Sequence, residues 1–248
     1  MPRLVTYNVH RCVGVDRKLD VSRIADVLAA LQPDIVCLQE LDVGRARTGG
    51  VDQAGAIAKQ LSMAFRFHPA MTIESELYGD AILTSRPEQL MRAAALPTLP
   101  NLRGLEPRGA LWSAIDFDGI TLNVFNTHLG LVPREQRLQA AALAGSEWLG
   151  DPACKGPTIL TGDFNATSIT RPYQTLVRRL ADAQRRLGLK PSIKTFPSSF
   201  PAIRIDHCFV SSDIRVTGVM TPLDPVARAA SDHLPLAVDF EFTAQPGA

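Results

Sequence analysis

The chain has 248 residues, 46% of them hydrophobic and 21% charged, with a formal net charge of +1. That length supplies a sizeable apolar core, and the near-neutral balance argues against a dedicated polyanion binder while leaving room for a local basic patch. Cys12, Cys37, Cys154 and Cys208 are isolated and form no Cys-x-x-Cys pair, so neither a zinc site nor a disulfide framework is indicated.

The first strand-like run, Leu4–Val9, is entered directly from Met1-Pro2-Arg3, without a signal-peptide pattern. Together with the lack of any bilayer-length apolar stretch, this makes a soluble cytoplasmic protein the expectation. Val21, Ile24, Ala25, Leu28 and Leu31 recur at helical spacing, and Pro33 stops that helix. Strand-like runs follow at Ile35–Gln39 and Ala81–Thr84, with a short helix over Gln53–Leu61 between them. Residues 85–109 read as a long Pro-rich loop. Leu111–Phe117 and Ile120–Asn126 flank Asp116-Phe117-Asp118-Gly119, the pattern of a hairpin turn with Gly119 at positive φ. A helix is expected over Pro133–Leu149, with Leu138, Ala141, Ala142, Gly145 and Trp148 on one face. The strand Thr158–Leu160, a helix over Pro172–Leu187, a second Pro-rich loop at 188–204 and strands Ile205–Val210, Ile214–Val219 and Leu236–Phe242 complete the chain. Helices that each bridge two strands, with no linker or repeat, predict a single α/β domain over 1–248.

The residues with chemical capability gather at the ends of these runs: Asn8 and His10, Gln39 and Glu40, Asn126 and His128, Asp163 and Asn165, Asp206 and His207, and Ser231-Asp232-His233. Strand ends of a packed sheet share one rim, where sites form in α/β folds. Glu40, Asp163 and Asp232 with Asn8 and Asn165 make a pool of hard oxygen donors suited to Mg²⁺ or Mn²⁺. Zinc is disfavoured, because the histidines are scattered and cysteine ligands are missing. His128 and His233 are the proton-handling candidates, and Asp206, flanked by apolar residues, is the expected partner that fixes the His233 tautomer.

Seven segments in order then resemble the endonuclease/exonuclease/phosphatase superfamily of metal-dependent phosphoesterases, which includes pancreatic-type deoxyribonuclease, exonuclease III-like repair nucleases, neutral sphingomyelinases, inositol polyphosphate 5-phosphatases and poly(A) deadenylases. They are Thr6-Tyr7-Asn8-Val9-His10, Asp34–Glu40, Tyr78–Arg86, Asn126-Thr127-His128-Leu129, Gly162-Asp163-Phe164-Asn165, Arg204-Ile205-Asp206-His207 and Ser231-Asp232-His233. The resemblance implies a four-layer α/β sandwich, two mixed sheets face to face with helices outside. It implies Asn8 and Glu40 as the metal-binding pair with Asp232 near the same ion. It implies Asp163 and Asn165 as the residues that position or activate the attacking water, His233 oriented by Asp206 at the scissile phosphate, and His128 at the transition state or leaving group.

On these grounds the expected activity is that of a Mg²⁺- or Mn²⁺-dependent phosphoester hydrolase, in first place a phosphodiesterase. An endo- or exonuclease and a catalytically dead phosphate- or partner-binding module are the alternatives. The expected partner is a phosphoester substrate, with no obligate protein partner. Many relatives carry Asn where this chain has Asp80. A carboxylate there is read as a metal ligand, as a partner of Arg108 or another arginine, or as a sign of altered substrate handling. Arg45, Arg47, Arg86, Arg108 and Arg134 lie near the motif loops, with Arg108 the first choice for gripping phosphate. The basic run from Arg171 to Lys194 is read as a solvated helix face bearing Arg178, Arg179, Arg185 and Arg186.

Overall fold

The computed structural model describes residues 1–100, 102 and 104–243. In chain order the elements are β1 (Arg3–Asn8), α1 (Val21–Leu31), β2 (Ile35–Val43), α2 (Gln53–Leu61), β3 (Ala64–Ile73), β4 (Glu76–Thr84), β5 (Glu88–Ala95), β6 (Gly109–Phe117), β7 (Ile120–His128), α3 (Pro133–Leu143), β8 (Thr158–Asp163), α4 (Arg171–Leu176), β9 (Ala181–Asp182), α5 (Ala183–Arg186), β10 (Asp206–Val210), β11 (Ile214–Met220), α6 (Pro225–Ala230) and β12 (Leu236–Phe242). They form two six-stranded mixed sheets, ordered β11-β12-β1-β2-β4-β3 and β5-β6-β7-β8-β10-β9. Each has one parallel pair at its centre, β1 with β2 and β7 with β8.

The period-two side-chain alternation of the strands builds three apolar layers. Leu4, Ile35, Ile82, Leu111, Val124, Ile159 and Val238 meet between the sheets, so Cys37 and Cys208 are core residues there. Val5, Tyr7, Val36 and Leu38 point the other way, against Ile24 and Leu28 of α1, Ile57 of α2 and Ala227 of α6. On the opposite outer face Trp112, Phe125, Leu160 and Phe209 pack against Ala140 and Leu143 of α3 and Tyr173 and Leu176 of α4. Helix, sheet, sheet and helix make the four-layer α/β sandwich.

Register explains how distant segments share one rim. β1 and β2 run parallel, so Asn8 and Gln39 end side by side, and His128 lies opposite Asp163 in the same way. β10 is antiparallel to β8 and places its first residue, Asp206, against Asp163. β12 is antiparallel to β1, which brings the loop before it, Ser231–His233, to the end of β1. The rim therefore collects the ends of parallel strands and the beginnings of antiparallel ones.

Several expected elements differ. Residues 85–109 are not all loop, because β5 pairs with β6 along an exposed edge where a weak apolar pattern suffices; residues 101 and 103 of that loop lie outside the described residues. β3 carries no strand signal in the sequence for the same reason: it is an edge strand with no fully buried side chain. The helix over Pro133–Leu149 ends at Leu143, and its buried face carries Glu135, Gln136 and Gln139 beside Ala140 and Leu143, leaving Leu138 exposed. The helix over Pro172–Leu187 is broken into α4, the short strand β9 and α5, so Arg178, Arg179, Arg185 and Arg186 do not share one helix face. Arg179 instead donates to Ala144 O, and Arg185 stacks over Tyr173. The hairpin turn is as expected, with Asp118 and Gly119 both at positive φ.

Candidate active site

Gly162-Asp163-Phe164-Asn165 shows why a short motif can carry a site. A Cβ on Gly162 would stand 1.8 Å from Thr127 O of the paired strand, so only glycine lets β7 and β8 close up. Asp163 then projects at the strand end, Phe164 drops into the core, and the Asn165 N–H donates to Asp163 Oδ1 at 2.8 Å. Asn165 takes a left-handed conformation at φ 47°. Glu40 does the same at φ 62°, where β2 bulges against β4 between Leu38 and Leu41. The bulge turns its carboxylate toward the rim.

Asp163 Oδ2 is the point of convergence. Asn8 Nδ2 donates to it at 3.0 Å and to Glu40 Oε1 at 3.0 Å. His233 Nε2 lies 3.6 Å from it and His128 Nε2 3.5 Å. Asn165 Nδ2 is 3.0 Å from His128 Nε2. These groups line a cleft of about 480 Å³ whose walls also include Asp232, Arg108, Tyr78, Leu131 and Phe196.

Behind the cleft, His233 Nδ1 donates to Asp206 Oδ2 at 2.9 Å, and Thr195 Oγ1 donates to the same oxygen at 2.5 Å. Phe196 packs on the His233 ring at 4.8 Å between centroids. Burial opposes the imidazolium, but Asp206 and Asp163 outweigh it and hold His233 well above the ordinary histidine range. Burial pushes the Asp163 carboxyl up, against the pull of the His233 cation. His128 goes the other way: burial, Arg108 and His233 all keep it neutral. Arg108 Nη1 sits 3.1 Å from His128 Nδ1 and Asn165 Nδ2 sits 3.0 Å from its Nε2, so donors face both ring nitrogens and disfavour the imidazolium. Two histidines with opposite charge states flank one carboxylate.

The site residues expected from sequence thus divide. Asn8, Glu40, His128, Asp163, Asn165 and His233 come together, Asp232 lines the same cleft, and Asp206 stands behind His233. Asp163, Asp206 and His233 offer atoms within 4.8 Å of one another, as a cation site would. Asp206 Oδ2, however, is already taken by Thr195 and His233, and His233 Nε2 stands 3.6 Å from Asp163 Oδ2. Asp80 is buried, does not line the cleft, and receives the Glu40 backbone N–H, which fixes the bulge. Burial raises its carboxyl to about 7 despite Arg108. Arg108 lines the cleft but is ion-paired with Glu106. Arg47 lines it too, doubly bonded to the buried Asp42. Arg45 pairs with Glu76, and Arg86 pairs with Asp118 away from the cleft.

Four of the expected motif residues are structural. Gln39 Nε2 donates to Asn126 Oδ1 at 2.7 Å, and Asn126 Nδ2 donates to Leu38 O and Ala81 O, a polar lock between the sheets. His207 Nε2 donates to Ala166 O, and Arg204 is ion-paired to Asp182, which also accepts from Tyr173. Thr195, Phe196 and Arg11 carry no sequence signal as site residues, and Tyr78 is marked only as the start of a motif segment. The first two lie in the 188–204 loop, marked in the sequence only by its length and its prolines.

The turn after Asn8 is unusual. His10, Arg11 and Cys12 have φ of 45°, 56° and 57°, three consecutive non-glycine residues in the left-handed region. Each such residue costs on the order of 1 kcal/mol. The turn is held regardless: His10 N donates to Asn8 Oδ1, Gln53 Nε2 to Arg11 O, Cys12 N to Val9 O and Asp20 N to Cys12 O, while Cys12 is in the core.

A four-layer sandwich whose central strand ends aim carboxylates, amides and two histidines into one cleft defines a class of acid- and histidine-centred hydrolase scaffolds. Residues 5–233 match the Endonuclease/Exonuclease/phosphatase family, and the chain belongs to it. The uncharacterized protein YbhP of Escherichia coli K12 is 25% identical over 97% of this chain and 96% of its own length. Similar solved structures include a mannosyl-6-phosphatase of Bacteroides thetaiotaomicron, with TM-score 0.75 and 21% identity over 98% of this chain and 100% of that one. The human Nocturnin catalytic domain, with bound sulfate anion, gives TM-score 0.73 and 23% identity over 98% of this chain and 94% of that one. These structures share the fold.

Proposed function

We propose that this chain, acting as one catalytic domain, is a divalent-cation-dependent phosphoester hydrolase, and within that class a phosphodiesterase. One observation carries the reading: Asn8, His128 and His233, drawn from both sheets, converge on a single oxygen of the buried Asp163 at the floor of an open cleft. Family membership supports hydrolysis of a phosphoester. The basic 171–194 run gives a nuclease reading no added support, since none of its arginines lines the cleft.

The residues fit a hard cation. Glu40 and Asp232 face the cleft beside the buried Asp163, and three carboxylates grouped there suit a hard divalent cation. Glu40 and Asp232 would hold it with Asn8, whose oxygen currently accepts from His10 N. When bound, such an ion supplies charge neutralisation at a phosphoryl oxygen, worth several kcal/mol at the transition state. Asp163 is placed to orient a water and take its proton. His233, held as a cation by Asp206, donates from Nε2 to a phosphoryl oxygen, and Asn165 adds an amide donor beside it. Neutral His128, held between Arg108 and Asn165, stands beside the developing charge.

The test is turnover of a panel of nucleotide, sugar, lipid and nucleic-acid phosphoesters with Mg²⁺ and Mn²⁺. Cation-dependent hydrolysis of diesters ahead of monoesters supports the reading, and preference for monoesters would replace phosphodiesterase with phosphatase.

A further inference from the structure

We propose that Arg11 is a specificity-determining residue that binds a second phosphate of the substrate, beyond the one being cleaved; this rests on the phosphoesterase reading. Among the described residues, three arginines line the cleft. Arg108 is ion-paired to Glu106 and Arg47 to Asp42, so their charges are spent within the protein. Arg11 has no carboxylate within ion-pair distance among the described residues, and its only side-chain bond is from Nη2 to His10 Nε2 at 2.7 Å. Its Nε is buried and without a partner.

His10 acts as the bracket. Its Nδ1 donates to Val13 O at 3.1 Å, which leaves Nε2 to accept from Arg11 and fixes where the guanidinium lies. A cation aimed into a cleft by a three-residue left-handed turn, held by four surrounding hydrogen bonds, is strain that the fold maintains without using the charge. The remaining guanidinium N–H groups match the forked geometry of a phosphate.

The cleaved phosphate is already faced by His233, Asn165 and the oxygen donors around Asp163. Arg11 is held by His10, whose Nδ1 is 3.8 Å from Asp232, and bonds to none of those groups. A cleft of about 480 Å³ holds considerably more than one phosphate. A small diester bearing a second phosphate uses both the catalytic centre and Arg11.

The experiment compares thymidine 5′-(p-nitrophenyl phosphate) with the same ester carrying a 3′-phosphate, in Mg²⁺ or Mn²⁺. Wild type is expected to prefer the 3′-phosphorylated ester about tenfold or more in kcat/KM, through KM, and Arg11→Ala to remove that preference. Arg11→Lys should keep part of it. Arg11→Gly, which suits φ 56°, should melt at or above wild type yet lack the preference, an outcome that a purely structural role would not give. A preference that persists in Arg11→Ala, or no preference in wild type, overturns the proposal. If wild type hydrolyses neither ester, the hydrolase reading fails separately, and direct binding decides: thymidine 3′,5′-bisphosphate must bind wild type more tightly than the 5′-monophosphate and lose that advantage in Arg11→Gly.

Discussion

His233 Nδ1 and Asp206 Oδ2 are 2.9 Å apart, and the same oxygen accepts from Thr195, so the ring is held from behind while its Nε2 faces Asp163. The pair joins two strands from different sheets, β10 and the approach to β12, and its geometry depends on both. Asp206→Asn keeps the shape and removes the charge that sustains the His233 cation. We expect kcat to fall about 10²–10⁴-fold with little loss of folding stability. An NMR titration of His233 should show its pKa falling in the variant, and an unchanged kcat would contradict the assigned role.

Asp80 gives a pH signature of stability. Its carboxyl is raised to about 7 in the fold from an ordinary value of 3.8. The unfolded chain therefore releases its proton first, and stability contributed by the neutral acid is lost as pH rises from about 4 to about 7. Asp80→Asn keeps an acceptor for the Glu40 N–H without that loss. Its stability advantage should be near zero at pH 4 and reach on the order of 2–4 kcal/mol above pH 7, read from urea unfolding.

Gly162→Ala tests the close approach of β7 and β8. The new methyl would collide with Thr127 backbone, which cannot rotate away, at a residue whose φ is 143°. A loss of about 3 kcal/mol or more is expected in denaturant unfolding, together with loss of activity, because His128 and Asp163 flank the collision.

Arg204 and Asp182 form a buried ion pair beneath the site, with Tyr173 on the same carboxylate. Burial opposes the Asp182 charge, but His207 and Arg204 hold its carboxyl below the usual range. Arg204→Met strands that charge and should cost about 3–5 kcal/mol at pH 7. Asp182 in the variant escapes by protonation, so the gap to wild type should narrow as the pH is lowered toward 4. An unfolding curve at two pH values checks both.

Much of the candidate site is legible because its residues sit at strand ends, where a buried apolar run terminates abruptly in Asn8, Asp163 or His128. Such endings are visible without a structure. The edge strands β3 and β5 were not, since an exposed edge needs no alternating pattern. The helix expected over Pro172–Leu187 was misread because its leucine spacing survives a break: β9 pairs with β10 at Asp182 and Phe209 while Leu176 and Leu180 still reach the core. The lower half of α3 misled for the opposite reason, burying Gln136 and Gln139 as bonds to Gly130 and Asn165. Asp80 was noticed as a departure, but its role at the Glu40 bulge depends on β2–β4 register. The left-handed turn at Arg11 has no sequence signal, because none of its residues is glycine.

The most direct measurement of the central claim is hydrolysis of bis(p-nitrophenyl) phosphate by wild type and Asp163→Asn, with and without added Mn²⁺ or Mg²⁺. The account predicts turnover only with the cation, abolished by chelation, and lowered at least about 10³-fold in the variant with its fold intact. Wild-type rates in Asp163→Asn, or cation-independent turnover, would contradict it.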